Sequence, residues 1–228
     1  MNQRIEEITN MKKLNKRFIL FDLDGTLTDP QEGITKSIQY SLKNFDIEVA
    51  DLNDLVRFIG GSLWEIYPKN FNLSEDDTKI AVEKYREYFS ERGIFENLLY
   101  DGIPDLLANL KSNGKKIILA TAKPIVFAEK ILRHFNIYEY FNFISGSELD
   151  GRRSEKYESI SYAIENCGIA SPELAVMIGD RRMDAIGAKK ANVTSIGVLY
   201  GYGSYEELNN AGADFIVSSV DELNNLLI

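Results

Sequence analysis

Residues 17–29, RFILFDLDGTLTD, constrain the fold more than any other stretch of the chain. Phe18, Ile19, Leu20 and Phe21 form a short, continuous apolar run bounded by turn residues. Such a run suits a strand buried on both faces, which means a parallel sheet covered by helices. Asp22 and Asp24 follow at positions i and i+2, so on an extended chain both carboxylates face one spot. Gly25 then permits a sharp turn or a close backbone approach to a ligand. Two adjacent carboxylates repel, a cost that a cation or a shared proton relieves. That cost at the tip of a buried strand suggests a site; the plain alternative is a strand ending in an acidic turn.

The rest of the chain fits a layered α/β fold. Beyond Asp101-Gly102 the pattern predicts a helix from 103 to 113, a strand over 115–120, a helix from 124 to 135 and a strand over 141–144. It continues with a helix at 155–166, a strand at 174–178, a helix at 184–191 and a strand at 194–198. A helix at 205–211, a strand at 214–217 and a helix at 219–227 complete it, the last opened by Ser219 and Glu222 as a capping box. Alternation of this kind predicts a doubly wound parallel sheet. Between 30 and 98 strand signals are scarce. Ile34, Ile38, Leu42 and Phe45 recur at helical spacing, a second helix is expected over 51–59, and a third begins near Ser74 and runs to about Arg92. A stretch that long exceeds one crossover, so it reads as an inserted helical module. Residues 1–16 read as an extension, with Ile5, Ile8 and Met11 on one possible helical face.

In an open parallel sheet, ligands bind beyond the carboxyl ends of the strands. Asp22 and Asp24 follow the first strand; Thr121, Ala122 and Lys123 follow the second; Gly179, Asp180 and Asp184 follow another. Three strand ends thus bring acids and a hydroxyl to one edge. These groups suit phosphoryl transfer. A carboxylate can attack phosphorus, a second acid can serve the leaving oxygen and then water, and a hydroxyl with backbone N–H groups can hold phosphate oxygens. A hard, oxygen-liking cation such as Mg²⁺ would offset the clustered charge. Lys156, at the start of a predicted helix, is the cation expected to complete the set, with Arg152 and Arg153 as rivals.

Composition removes several classes. A net charge of −9 argues against a nucleic acid polymer as partner. The apolar runs are too short to span a membrane, and the first residues lack the apolar stretch of a secretory signal. The single cysteine, Cys167, cannot form an internal disulfide, in keeping with a cytoplasmic location. One histidine, His134, excludes a His-rich metal site; its expected place is near a helix end.

The hexapeptide Asp-Leu-Asp-Gly-Thr-Leu (22–27) resembles the first signature of the haloacid dehalogenase-like hydrolases, most of which are phosphatases. Thr121, Lys156 and Gly179-Asp180-Arg181-Arg182-Met183-Asp184 resemble the later motifs in order, so the likeness covers nearly all of 17–228. It implies a Rossmann-like core formed by 17–29 and 99–228, with a small helical cap at 30–98. Asp22 resembles the nucleophile and Asp24 the acid/base. Thr121 resembles the phosphate-binding hydroxyl with Ala122 beside it, and Lys156 the phosphate-neutralising lysine. Asp180, Asp22 and the backbone carbonyl of Asp24 resemble Mg²⁺ ligands, and Asp184 either one acting through water or a residue standing behind the ligands. An acid at position 24 separates the chain from haloacid dehalogenases and phosphonoacetaldehyde hydrolases.

Residues 26–34 and 196–203 are similar to the phosphoglycolate phosphatase branch and its 5′-nucleotidase-like members. The expectation is a Mg²⁺-dependent phosphatase acting on a small phosphorylated metabolite through a phosphoaspartate, as a monomer or homodimer. Sugar-phosphate phosphatase and phosphomutase activities are alternatives on this scaffold; a non-catalytic phospho-ligand sensor is one from another class. Arg57, Lys69 and the 58–62 turn are candidate substrate contacts from the cap, against a plain reading as surface charge and turn. Arg181 stands where many relatives carry a small hydroxyl residue; pairing with a carboxylate and reaching substrate are both open to it.

Overall fold

The computed structural model describes residues 13–228; Ile5, Ile8 and Met11 lie outside the described residues. Six parallel strands form the central sheet: β1 (Phe18–Phe21), β4 (Lys116–Pro124), β5 (Phe143–Ser147), β6 (Ala175–Gly179), β7 (Thr194–Val198) and β8 (Phe215–Val217). Their order is β5-β4-β1-β6-β7-β8, with Phe21 opposite Leu119 on one side and Ile178 on the other. The chain therefore winds outward from β1 in both directions. The point where the direction reverses lies beside β1, at the start of the acidic segment.

The apolar run of β1 is buried on both faces because its side chains alternate between two layers. Ile19 and Phe21 join one hydrophobic cluster, and Leu20 joins another with Ile118 and Met177. Helices α4 (Ile103–Ser112), α5 (Ile125–His134) and α9 (Val220–Leu227) supply buried side chains to the first cluster. Helices α6 (Lys156–Asn166) and α7 (Arg182–Lys190) cover the other face, and α8 (Tyr205–Ala211) packs beside α7. Ser219 Oγ accepts the Glu222 N–H at 3.1 Å, closing the start of α9 as its sequence indicates. His134 ends α5 and lies edge-on to the Phe95 ring. Cys167 ends α6 half-buried.

Two short strands, β2 (Thr28–Asp29) and β3 (Leu98–Leu99), pair antiparallel and bracket the long insertion. Between them lie α1 (Gln31–Leu42), a 3₁₀ segment (Leu52–Phe58), α2 (Leu63–Phe71), α3 (Glu75–Tyr88) and a π-helical turn (Phe89–Gly93). The stretch expected as a helix over 51–59 is thus a 3₁₀ segment, and α2 adds a helix that the sequence pattern does not announce. Ser74 caps α3 through the Asp77 N–H, as expected. The buried side chains of these helices belong to the same cluster as one face of the sheet, and Phe89 meets Phe127 of α5 edge-to-face. Among the described residues no helix is long and apolar enough to cross a membrane.

Candidate active site

Asp22 and Asp24 leave the end of β1, and both are buried. Gly25 turns the chain immediately afterwards at φ +78°. A Cβ there would lie 2.2 Å from Asp180 Oδ2, so only glycine lets this turn sit against the β6 motif. Asp180, fully buried, follows the end of β6, and Asp184 lies in the first turn of α7. The Arg181 N–H donates to Asp184 Oδ2 at 3.0 Å, and the Tyr202 N–H donates to Asp180 Oδ2 at 2.8 Å. Thr121 and Ala122 lie inside β4, which runs on to Pro124 rather than stopping at 120. Thr121 Oγ1 accepts the Lys123 N–H at 3.2 Å.

Two buried lysines divide the carboxylates between them. Lys156 Nζ lies 2.7 Å from Asp22 Oδ1 and 2.9 Å from Asp184 Oδ1, and donates to the Ala120 carbonyl at 3.2 Å. Lys123 Nζ lies 2.7 Å from Asp24 Oδ2, over the Phe89 ring. Burial opposes the Lys156 charge, but the Asp184 and Asp22 carboxylates outweigh it and raise the ammonium above its ordinary range. Burial raises Asp24 despite the pull of Lys123, and raises Asp184 to about 6 despite Lys156. Burial, with Asp184 adding to it, pushes Asp180 well above the usual carboxylate range.

Four carboxylates against two ammonium groups leave a buried negative excess. Oxygens of Asp22, Asp180 and Asp184 all lie within 4.8 Å of one another. Oδ1 of Asp180 and Oδ1 of Asp24 are buried without a hydrogen-bond partner among the described residues. Buried acceptors left unpaired are costly. An all-oxygen set with spare acceptors and excess negative charge fits a hard divalent cation such as Mg²⁺.

A cavity of about 110 Å³ opens above Asp22, Asp24 and Thr121. Phe58, Trp64, Tyr85, Phe89 and Phe127 supply most of its apolar wall, and Arg86 supplies a cation. Arg57 and Lys69 line a separate, adjoining cleft of about 480 Å³, which Lys156 also borders. There Lys69 pairs with Glu65 at 2.7 Å, and Arg57 stacks over the Phe58 ring. Of the expected cap contacts, only the 58–62 turn touches both spaces. Arg181 pairs with a carboxylate: its Nε donates to Glu207 Oε1 at 2.9 Å.

Lys123, placed at a strand end by the sequence but given no role there, belongs to the site through its ion pair with Asp24. The Tyr202 N–H, which the sequence does not mark, belongs to it through Asp180. No local pattern marks Arg86, which reaches the cavity from α3.

Comparison with known proteins agrees with the geometry. Residues 19–198 match the family model for haloacid dehalogenase-like hydrolases, and the chain belongs to that family. A 5′-nucleotidase from Pseudomonas aeruginosa is 47% identical over 83% of this chain and 86% of its own length. A phosphoglycolate phosphatase from Colwellia psychrerythraea is 28% identical over 93% of this chain and 97% of its own. The crystal structure of a predicted phosphatase from Clostridium acetobutylicum superposes with a TM-score of 0.89 at 52% identity, covering 92% of this chain and 96% of that one.

Proposed function

We propose that this chain is a Mg²⁺-dependent phosphatase that hydrolyses a small phosphomonoester through a phosphoaspartate at Asp22. The observation that carries this reading is the pairing of two buried carboxylates with two different lysines beneath one cavity. The Asp22 carboxylate attacks phosphorus, and the P–O ester bond breaks as the acyl phosphate forms. Asp24 gives its proton to the leaving oxygen, then takes one from the water that attacks the acyl phosphate. Inorganic phosphate leaves and Asp22 is restored. Lys156 orients Asp22 and meets charge on the phosphoryl oxygens, while the Thr121 hydroxyl and the Ala122 N–H are placed to hold those oxygens. Asp22, Asp180 and the Asp24 carbonyl would hold Mg²⁺, with Asp184 behind them; bound there, the cation offsets the charge of the carboxylates and the phosphate dianion. Residues 30–98 act as a cap in this reading, and a cytoplasmic location suits the single cysteine.

Two substrate classes stay in view, each with its own support. The aromatic wall and the similarity to a 5′-nucleotidase favour a leaving group with a flat apolar face, such as a nucleoside. Arg86 on the same wall suits a second anionic group, such as the carboxylate of phosphoglycolate. Hydrolysis of p-nitrophenyl phosphate is expected with Mg²⁺ and is lost with a chelator. Asp22→Asn is expected to cut turnover by roughly 10⁴-fold or more with the fold intact; wild-type turnover in that variant would remove Asp22 from the nucleophile's role. A panel of nucleoside monophosphates, phosphoglycolate and sugar phosphates then ranks the classes by kcat/KM.

A further inference from the structure

The Arg181 side chain joins three parts of the molecule. Its Nε donates to Glu207 Oε1 on α8 at 2.9 Å, and its Nη1 donates to the Ile59 carbonyl at 2.7 Å. Glu207 Oε1 is itself fixed, because it also accepts the Arg182 N–H at 2.9 Å. The guanidinium is therefore held at two ends, and it is largely withdrawn from solvent, with 17% of the side chain exposed. Its main chain belongs to the acidic motif, next to Asp180, and its own N–H holds Asp184. Ile59 lies in the 58–62 turn, which walls both the catalytic cavity and the adjoining cleft.

We propose that Arg181 is a positioning residue that clamps the 58–62 turn of the cap over the cavity, tying the cap wall to the Asp180–Asp184 motif. The planar fork suits the task, since one guanidinium serves a carboxylate and a carbonyl in different directions. A small hydroxyl residue could not span that gap. The clamp fixes where the leaving group's wall stands while touching neither phosphate nor cation. Only the kinetic arm of its test rests on the phosphatase reading.

Trp64, the sole tryptophan, reports on the clamp directly. It is the second residue of α2, just beyond the turn, and Gly151 lies against its indole, where a Cβ would sit 3.4 Å from Nε1. In Arg181→Ala we expect red-shifted Trp64 emission and steeper acrylamide quenching in metal-free protein. With p-nitrophenyl phosphate and Mg²⁺, KM is expected to rise about tenfold, the weight of one charge-assisted hydrogen bond, with little change in kcat. Inhibition by inorganic phosphate should stay as in wild type, and Arg181→Lys should recover only part of the KM. An unchanged Trp64 signal overturns the clamp, and so does weakened phosphate inhibition, which would put Arg181 on the substrate. Should Arg181→Ala not fold, Glu207→Ala carries the test: it removes the acceptor at one end of the fork, and wild-type KM and Trp64 signal there also overturn the clamp. If wild type hydrolyses nothing, the phosphatase reading fails, and the Trp64 arm still decides the clamp.

Discussion

Asp22 and Asp24 stand two residues apart on one strand end, yet they meet different partners. Lys156 holds Asp22 from α6, and Lys123 holds Asp24 from β4. Two like groups in unlike surroundings can take separate chemical roles. Burial raises the Asp24 carboxyl even against Lys123, so it keeps its proton more readily than an exposed aspartate and is poised to give it up. In the proposed reaction this suits it to the leaving oxygen. Asp24→Asn should therefore cost an alkyl phosphate, whose leaving alkoxide needs a proton, about 10²–10⁴-fold in kcat/KM. The loss with p-nitrophenyl phosphate should be clearly smaller, because that leaving group departs as a stable anion. Steady-state kinetics on the two substrates makes the comparison. Equal losses would mean that Asp24 serves the site through charge or placement alone.

At the scale of elements, the sheet was legible because its central strands carry compact apolar runs and the helices that cover it repeat apolar residues at helical spacing. FILF, KIILA and LAVMI stand out from their neighbours, and the acids after FILF and LAVMI, with Thr121 after KIILA, fall at one edge of the sheet. The parts that escaped lack such a signal. Strands β2 and β3 have two residues each, too few to show a period. Helix α2 carries Pro68 in its interior and follows Gly60-Gly61, so its local preferences argue against a helix that packing nevertheless forms. The end of β4 is polar, TAK, and falls where the pairing with β5 shifts register, between Ala120 opposite Ser145 and Pro124 opposite Ser147, so no apolar period marks it. Placement in space is the larger loss: Arg86 and Arg57 both lie in the 30–98 insertion, and only the fold decides which one lines the cavity above Asp22 and Asp24. One element contact yields a prediction of its own. In α1, Gly33 lies so close to the π-helical turn that a Cβ would sit 1.9 Å from the Gly93 carbonyl oxygen. Both atoms belong to backbone, which cannot swing aside as a side chain would. Gly33→Ala should therefore destabilise the protein by about 1–3 kcal/mol, read as a lower urea midpoint. A midpoint equal to wild type would show that the two helical segments separate at little cost.

Taken as a whole, the fold gathers negative charge at the point where its winding reverses. Asp22, Asp24, Asp180 and Asp184 are all nearly inaccessible to water, and the buried ammonium groups paired with them are those of Lys123 and Lys156 among the described residues. Folding the metal-free chain must therefore bury repelling groups, and protons relieve part of that cost. Asp184 titrates at about 6 in the fold against an ordinary 3.8. Between about pH 3.8 and about pH 6 the native state holds a proton that the unfolded chain has released, so stability falls as pH rises through that window. Asp180 and Asp24 are shifted in the same direction and act with the same sign. Lys156, raised above its ordinary 10.5, stabilises the fold at all lower pH and loses that contribution only in strong alkali, outside the window. Mg²⁺ requires ionised ligands, so it competes with these protons. At a hundredfold excess over its Kd, a ligand bound only by the native state adds about 2.7 kcal/mol. For a chain of this length that corresponds to roughly 5–10 °C in Tm. The rise in Tm on adding Mg²⁺ should accordingly be small near about pH 5 and grow as pH rises through about pH 6. Thermal melts with and without Mg²⁺ across that range measure it, and Asp180→Ala should abolish the rise at every pH. A Mg²⁺ effect independent of pH would place the cation away from the buried carboxylates, and none at all would mean that Lys123 and Lys156 already suffice to hold the cluster together.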